Sequence, residues 1–250
     1  MFIDKNISRK SKVVNSSIQF YNGTDIPLMS VVEISDSGTC NRKCSFCPRS
    51  DPDYKDIKEF ISEKLHNKIF TELNSYGYSG MIIYSGYVEP LLNKNIYRNV
   101  AFARKSLPNS KIEIITNGDV LNVKRLKKLF EAGLSTLLIS VYDGPEDMIK
   151  FQKLVDEAKL LPSQYVIRNR YMPPEDDFGL TISNRSGMLK NAIHKRPATI
   201  EPLKAVCTSP AYTFFIDYNG DVQMCSHDWG KKYILGNVSK QSIIDIWCNK

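Results

Sequence analysis

Val31-Val32-Glu33-Ile34-Ser35-Asp36-Ser37-Gly38-Thr39-Cys40-Asn41-Arg42-Lys43-Cys44-Ser45-Phe46-Cys47 is the stretch on which the fold turns. Its β-branched opening reads as a strand, because branching at Cβ suits a pleated, half-buried surface. The strand ends in Ser35-Asp36-Ser37-Gly38, and three thiols then fall within eight residues. A strand that runs straight into a cluster of metal-seeking side chains is the start of a sheet with a site at its carboxyl edge.

Working outward, strand and helix alternate. Ile57 to Leu73 has helical periodicity, with Phe60, Ile61, Leu65, Ile69, Phe70 and Leu73 predicted to face inward. Met81–Tyr84 is the second strand, followed by a helix from about Asn95 to Ser106. Lys111–Ile115 is the third strand, and its helix, Val123–Ala132, is closed by Gly133. Leu137–Val141 and Glu146–Leu160 form the fourth pair. Tyr165–Ile167 is a fifth strand and Leu180–Ile182 a sixth.

This order implies a parallel sheet with right-handed crossovers, either a partial barrel or a flat doubly wound sheet. Both place ligands at the carboxyl ends of the strands. The unusual polar residues fall there. Glu89 follows the second strand, Thr116-Asn117-Gly118-Asp119 the third, and Ser140, Tyr142 and Asp143 close the fourth. Arg168-Asn169-Arg170 ends the fifth and Ser183-Asn184-Arg185 the sixth. From about Pro197 the character changes: Tyr218-Asn219-Gly220 between two strand-like runs signals a hairpin, and a short helix, Ser242–Trp247, follows. The predicted organisation is an extension (1–27), an α/β core (28–196) and a small β-hairpin/helix module (197–250).

Composition narrows the function classes. The chain has 250 residues, 42% of them apolar or Tyr/Cys, and 34 Lys+Arg against 27 Asp+Glu for a net charge of +7. That excludes a disordered chain and a small disulfide scaffold. No run approaches the ~20 apolar residues of a membrane span. Residues 1–12 show no secretory pattern, so the expected location is cytoplasmic, where clustered thiols serve as metal ligands more often than as disulfides. The densest basic run, Lys124-Arg125-Leu126-Lys127-Lys128, lies in a helical pattern with Leu121, Leu126, Leu129 and Phe130 as its apolar stripe. Its lysines read as a solvated face rather than a nucleic-acid site.

Cys40, Cys44 and Cys47 can wrap three corners of a four-iron cubane and leave the fourth iron open to a ligand. A zinc site is the other reading, but tetrahedral zinc needs a fourth ligand, and the nearest histidine, His66, falls inside the first helix pattern.

Cys-x3-Cys-x-aromatic-Cys directly after the first strand resembles the signature of radical SAM enzymes, with Phe46 at the aromatic position. The resemblance implies a partial (β/α)6 barrel over about residues 28–190 and a [4Fe–4S] cluster on Cys40, Cys44 and Cys47. It further implies S-adenosylmethionine (SAM) on the open iron, cleaved by one electron to a 5′-deoxyadenosyl radical that abstracts a substrate hydrogen. Such enzymes draw that electron from a donor such as flavodoxin or ferredoxin. Gly86–Leu92 is similar to the family's Gly-Gly-Glu-Pro element, which makes Glu89 the contact for the SAM amino group. Val88 stands at the second glycine, where a β-branched residue disfavours a positive φ. By the same resemblance Asn117 positions SAM or substrate and Ser140 contacts its ribose or carboxylate.

Cys207, Gly220-x4-Cys225 and the run to Trp247 resemble the auxiliary-cluster modules called SPASM and Twitch, implying a second iron–sulfur cluster with Cys207 and Cys225 among its ligands. Further cysteines normally follow the tryptophan; here only Cys248 does, which reads as a helix-terminal thiol, so either the sequence is a fragment or the site is incomplete. Ile182-Ser183-Asn184-Arg185-Ser186-Gly187 resembles a segment of aminocyclitol dehydrogenases, and makes Arg185 the group that orients the substrate alcohol and steadies a developing oxyanion. His227-Asp228 reads as a surface turn. Three readings remain: oxidation of a sugar-like or cyclitol alcohol, modification of a peptide, and a scaffold with impaired SAM binding.

Overall fold

The structure is a computed structural model; it describes residues 18–44, 46–170 and 206–248, with Lys12 and Met188 besides. Ten strands and five longer helices occur among them. They run β1 (Val31–Ser35), β2 (Ser37–Gly38), β3 (Ile57–Phe60), α1 (Glu63–Ser75), β4 (Met81–Tyr84), α2 (Ile96–Ser106), β5 (Lys111–Thr116), α3 (Val123–Glu131) and β6 (Thr136–Val141). Then come α4 (Pro145–Glu157), β7 (Tyr165–Asn169), β8 (Thr213–Asp217), β9 (Asp221–Gln223), β10 (Ile234–Asn237) and α5 (Ile243–Trp247).

Eight strands form one sheet in the order β10-β9-β8-β1-β4-β5-β6-β7. Every pairing from β8 across to β7 is parallel. The α/β architecture of a partial barrel is thus present, with α1 to α4 as its crossovers. The hairpin strand β8 pairs with β1 in full register, Val31 opposite Thr213 and Ser35 opposite Asp217. The C-terminal hairpin therefore continues the barrel sheet past its first strand.

Period-two alternation sorts the strand residues. Val32, Ile34, Ile82, Tyr84, Ile112 and Ile114 face the helices and meet Phe70, Leu73, Val100, Leu126 and Phe151 in the main core. Each such fully buried side chain contributes roughly 1.5–3 kcal/mol. The opposite, inner face carries a small apolar cluster, Val31, Met81 and Ile83, and the buried Leu138 and Phe215, alongside the buried Glu33, Ser35, Glu113 and Ser140. This polar lining is where a barrel holds a polar ligand.

One predicted element is corrected. Residues 57–60 are not the first turn of a helix; they form β3, antiparallel to β2, and all four are exposed. Phe60 is solvent-facing, whereas Ile61 is buried as predicted. The helix starts later because Ser62 caps it, its hydroxyl accepting from Leu65 N at 3.2 Å. The predicted sixth strand, Leu180–Ile182, lies outside the described residues. Among the described residues no helix is long and apolar enough to cross a membrane.

Candidate functional site

β1 delivers the chain to the sheet's carboxyl edge, and the cysteine loop follows it. Cys47 N donates to Cys44 O at 2.9 Å, folding the last two ligand positions into a tight turn. Pro48–Ser50 continue as a 3-10 turn whose Ser50 hydroxyl donates to Cys47 O at 2.7 Å. All three thiols are half-buried and none of them is in a disulfide. Burial raises the Cys40 thiol above its ordinary range. It pushes Cys44 up to about 11, with Cys47 and then Cys40 adding to the rise. The three sulfurs are thus close enough to feel one another. Yet among the described residues no three ligand-type side chains converge on a single ion. Three thiolates on one loop can take three corners of a multi-iron cluster, whereas tetrahedral zinc needs a fourth ligand.

Two arginines that the sequence reading passed over pin this loop. Arg42, between the first two cysteines, forks across two carboxylates: Nε donates to Asp119 Oδ2 at 2.7 Å, and Nη1 to Asp143 Oδ1 at 2.8 Å. Its guanidinium also lies 5.7 Å from the Tyr142 ring centroid. Because Asp119 follows β5 and Asp143 follows β6, the loop is strapped to two strand ends. Arg49 is buried (4% exposed) and works from the other side. It donates to Tyr87 O at 2.8 and 3.0 Å and to Gly38 O at 2.9 Å, pairs with Asp56, and lies 5.0 Å from the Tyr54 ring centroid. The rule that polar residues gather behind strands already marks Asp119 and Asp143. Their partner, some 77 and 101 residues away, carries no local signal.

The other predicted site residues converge on the same mouth. Glu89 is 1% exposed rather than a solvated loop carboxylate. Its Oε1 accepts from Thr116 Oγ1 at 2.7 Å and Leu91 N at 3.0 Å, and its Oε2 from Asn117 N at 2.8 Å. Burial raises its pKa and these bonds oppose the rise. Three donors leave a carboxylate about one acceptor position to offer a ligand. Asn117 Nδ2 donates to Asn41 Oδ1 at 2.8 Å and points at Cys40 Sγ at 3.9 Å, tying β5 to the cysteine loop. Ser140 Oγ accepts from Arg168 Nη2 at 2.8 Å. The Phe46 ring lies 5.2 Å from that of Tyr142. At the Glu89 turn the positive φ falls on Gly86 (+95°), and Val88 is not among the residues of positive φ, so the valine is accommodated without backbone strain.

The C-terminal thiols are arranged otherwise. Cys207 is exposed, while Cys225 and Cys248 are half-buried. Cys225 Sγ accepts from His227 N at 3.3 Å, and Cys248 caps α5. Among the described residues no third and fourth ligand-type side chain groups with these thiols. Asp228 is buried and accepts from Tyr233 N at 2.9 Å, which corrects its reading as a surface residue. Tyr87 links the two regions: its hydroxyl donates to Gln223 Oε1 at 2.6 Å and contacts Asp228 O at 3.0 Å. Arg185 lies outside the described residues.

Comparison with known proteins decides between the readings of the cysteine loop. The radical SAM superfamily matches residues 34–165, and an iron–sulfur cluster-binding domain of SPASM type matches 207–250. The chain belongs to the radical SAM superfamily. A protein of Niallia circulans, S-adenosyl-L-methionine-dependent 2-deoxy-scyllo-inosamine dehydrogenase, is 31% identical over 222 residues, covering 89% of this chain and 83% of the relative. The crystal structure of BtrN in complex with AdoMet and 2-DOIA superposes with a TM-score of 0.72 at 29% identity, covering 88% and 82% of the two chains. Streptococcus suis SuiB bound to its precursor peptide SuiA shares the fold alone, at 14% identity and a TM-score of 0.53 over 97% and 76% of the two chains. As a radical SAM enzyme the protein uses a [4Fe–4S] cluster and SAM, and the donor set of the 40–47 loop fits that cluster. The SPASM match points to a further iron–sulfur cluster, for which the described residues supply only part of a ligand set.

Proposed function

We propose that this radical SAM enzyme oxidises a hydroxyl of a cyclitol or similar small polyol to the ketone. The observation that carries the reading is the dehydrogenase likeness, which spans the barrel and the C-terminal hairpin together. The inner face of the sheet supports it: Glu33, Glu113 and Asp217 are buried there, Glu33 accepting from Ser85 and Asp217 pairing with Lys231. Carboxylates facing inward suit a hydroxylated, amine-bearing ligand.

Cys40, Cys44 and Cys47 are the proposed cluster ligands, with Cys207 and Cys225 held for an auxiliary cluster. When bound, the cluster and SAM would supply one-electron cleavage of the sulfonium and removal of a substrate hydrogen; the remaining substrate radical would give one electron to an iron–sulfur cluster of the enzyme and its hydroxyl proton to solvent to become the ketone. Glu89 offers its remaining acceptor position to the SAM ammonium, and Thr116, Asn117 N and Leu91 N hold that carboxylate still. Asn117 and Ser140 present polar groups at neighbouring strand ends, and the Phe46 and Tyr142 rings add an aromatic wall beside them. Arg185 orients the alcohol and takes up the oxyanion charge as the C–O bond shortens. The domain division at about 27/28 and 196/197 is part of this reading. So are a flavodoxin- or ferredoxin-type electron donor and a cytoplasmic location, where the reducing environment keeps the six cysteines available as ligands.

The test is isotopic. With 2-deoxy-scyllo-inosamine deuterated at the carbinol carbon, the anaerobically reconstituted enzyme should form ketone and place deuterium in 5′-deoxyadenosine. Arg185→Lys should lower ketone formation by about 10²–10³ while SAM cleavage without substrate persists. Deuterium-free 5′-deoxyadenosine and no ketone across a panel of cyclitols and sugars would remove the alcohol reading.

A further inference from the structure

The positive charge of the chain is localised. Lys and Arg exceed Asp and Glu by seven overall, and the stretch from Lys94 to Lys128 alone holds nine basic residues against Glu113 and Asp119. One segment, α2–β5–α3, therefore carries the whole excess, and the rest of the chain is balanced. Its two carboxylates do not offset it at the surface: Glu113 is buried inside the barrel and Asp119 is engaged by Arg42.

Six of the nine basic residues are exposed: Lys94, Arg98, Lys105, Lys124, Lys127 and Lys128. Arg98 and Lys105, seven apart, share one face of α2, and the three lysines of α3 stand at i, i+3 and i+4. The two helices pack side by side. Among the described residues none of the six joins an ion pair. The nearby Glu131 is exposed at the far end of α3. Like charges at i, i+4 weaken a helix, and a cation in its first turn opposes the helix dipole. The arrangement thus works slightly against the fold, as expected of a face that waits for an anionic partner.

Its position says which partner. The cap of α3, Asn122, comes three residues after Asp119, which accepts from Asn41 Nδ2 at 2.6 Å and from Arg42 within the cysteine loop. Arg125 fixes the start of α3, donating to Val120 O at 2.9 Å and to Leu91 O at 3.2 Å, just past Glu89. The basic face therefore opens at the rim that holds the three thiols. The aromatics near it are half-buried, and Tyr97 lies beneath Lys128 Nζ at 4.5 Å, so none stands free to stack on a base as nucleic-acid platforms require.

We infer that the α2–α3 face is the docking surface of a small acidic one-electron carrier protein that reduces the cluster. This rests on the radical SAM assignment. In the docked pair one electron leaves the carrier, which is oxidised by one electron, and enters the cluster, which is reduced by one; no proton or atom moves.

The experiment compares Lys124→Glu/Lys127→Glu/Lys128→Glu with the parent, both reconstituted anaerobically. Two readouts are taken: titration calorimetry with purified flavodoxin and with a [2Fe–2S] ferredoxin, and 5′-deoxyadenosine formation driven either by flavodoxin with its reductase or by dithionite. The parent should bind a carrier with an affinity that falls as salt rises. The variant should lose about tenfold or more in affinity and in carrier-driven rate, and keep its dithionite-driven rate. The charge-neutral variant Lys124→Gln/Lys127→Gln/Lys128→Gln, which adds no new acids to α3, should show a smaller loss in the same direction. Equal carrier binding and equal carrier-driven rates in parent and variants would overturn the inference, as would binding of single-stranded RNA by the parent with none of either carrier. Failure of the dithionite-driven reaction in the parent would instead count against the radical SAM reading, and the calorimetry would still decide the docking face.

Discussion

Two sets of three cysteines sit in this chain, and they differ in what surrounds them. Around Cys40, Cys44 and Cys47, Arg42 and Arg49 reach from the loop to Asp119, Asp143, Asp56, Tyr87 O and Gly38 O, so the backbone is fixed on both sides. Around Cys207, Cys225 and Cys248, the contact made to sulfur among the described residues is the amide of His227, and Cys207 is exposed. The contrast shows what turns thiols into a site. The residue type supplies ligands, but preorganisation comes from side chains that never touch the metal.

The largest effect expected from this contrast is in iron content. Cys207→Ala/Cys225→Ala should leave about four irons per chain, whereas Cys40→Ala/Cys44→Ala should leave essentially none, because clusters are held by sets of thiolates. Eight irons per chain in the parent, four of them lost in Cys207→Ala/Cys225→Ala, would show that the C-terminal thiols hold the proposed auxiliary cluster, and would turn the comparison into one between two working sites.

Next comes the support. Arg49→Met removes a buried guanidinium and should cost about 2–6 kcal/mol in urea unfolding, since Tyr87 O and Gly38 O lose their donor at about 1–3 kcal/mol each while the exposed Asp56 returns to water. In the C-terminal region Lys231→Met frees Asp217, whose pKa burial already raises, so the carboxylate can take up a proton instead. That change should cost about 1–3 kcal/mol. Equal losses would mean that the two regions are pinned alike. Glycines give a smaller difference. A Cβ at Gly86 (φ +95°) would meet Phe215 and the Ser35 Cβ at 2.9 Å, while one at Gly220 (φ +89°) meets the tip of Asn237 at 3.0 Å. Gly86→Ala should therefore destabilise by about 1–3 kcal/mol more than an unstrained substitution, and Gly220→Ala by less. Thermal melts of the two variants check the order.

The smallest effect in the parent is in pH, and it belongs to the barrel. His66, buried against the hydroxyl of Tyr84 at 2.8 Å, has its pKa lowered by burial from 6.5 to about 4. It is neutral when folded, so its contribution to stability is lost as pH falls from 6.5 through 4. Burial raises Asp36 from 3.8 to about 7, with the Asn93 amide opposing, so its contribution is lost as pH rises from 3.8 through 7. Between pH 4 and 6.5 the two slopes oppose each other, and the parent should be nearly flat. Asp36→Asn should expose the histidine slope, up to about 1.4 kcal/mol per pH unit, in urea midpoints taken at several pH values. The same profile in parent and variant would contradict this account.

Much of this was legible from residue order. The β-branched runs locate β1, β4, β5 and β6, because strands in a covered parallel sheet are apolar along their length. The polar residues after each strand mark the mouth, and the structure brings Glu89, Asn117 and Ser140 to it. Residues 57–60 misled because Ile57, Phe60, Ile61 and Leu65 have helical spacing, and only the Ser62 cap and the pairing with β2 tell the strand from the helix. Arg42 and Arg49 were invisible for another reason: an arginine near a metal loop looks the same whether it is solvated or forked across carboxylates from distant strands. Parallel pairing of β8 with β1 was equally hidden, because nothing in the Asn219-Gly220 hairpin states which strand its edge will find.

The central claim is that the pinned loop, and not the C-terminal thiols, makes this protein a radical SAM enzyme. Its most direct test is 5′-deoxyadenosine formation from SAM with dithionite as reductant, in the anaerobically reconstituted parent and in Cys40→Ala/Cys44→Ala/Cys47→Ala. The account predicts 5′-deoxyadenosine from the parent and none from the triple variant. Formation at the parent rate by the triple variant would contradict it.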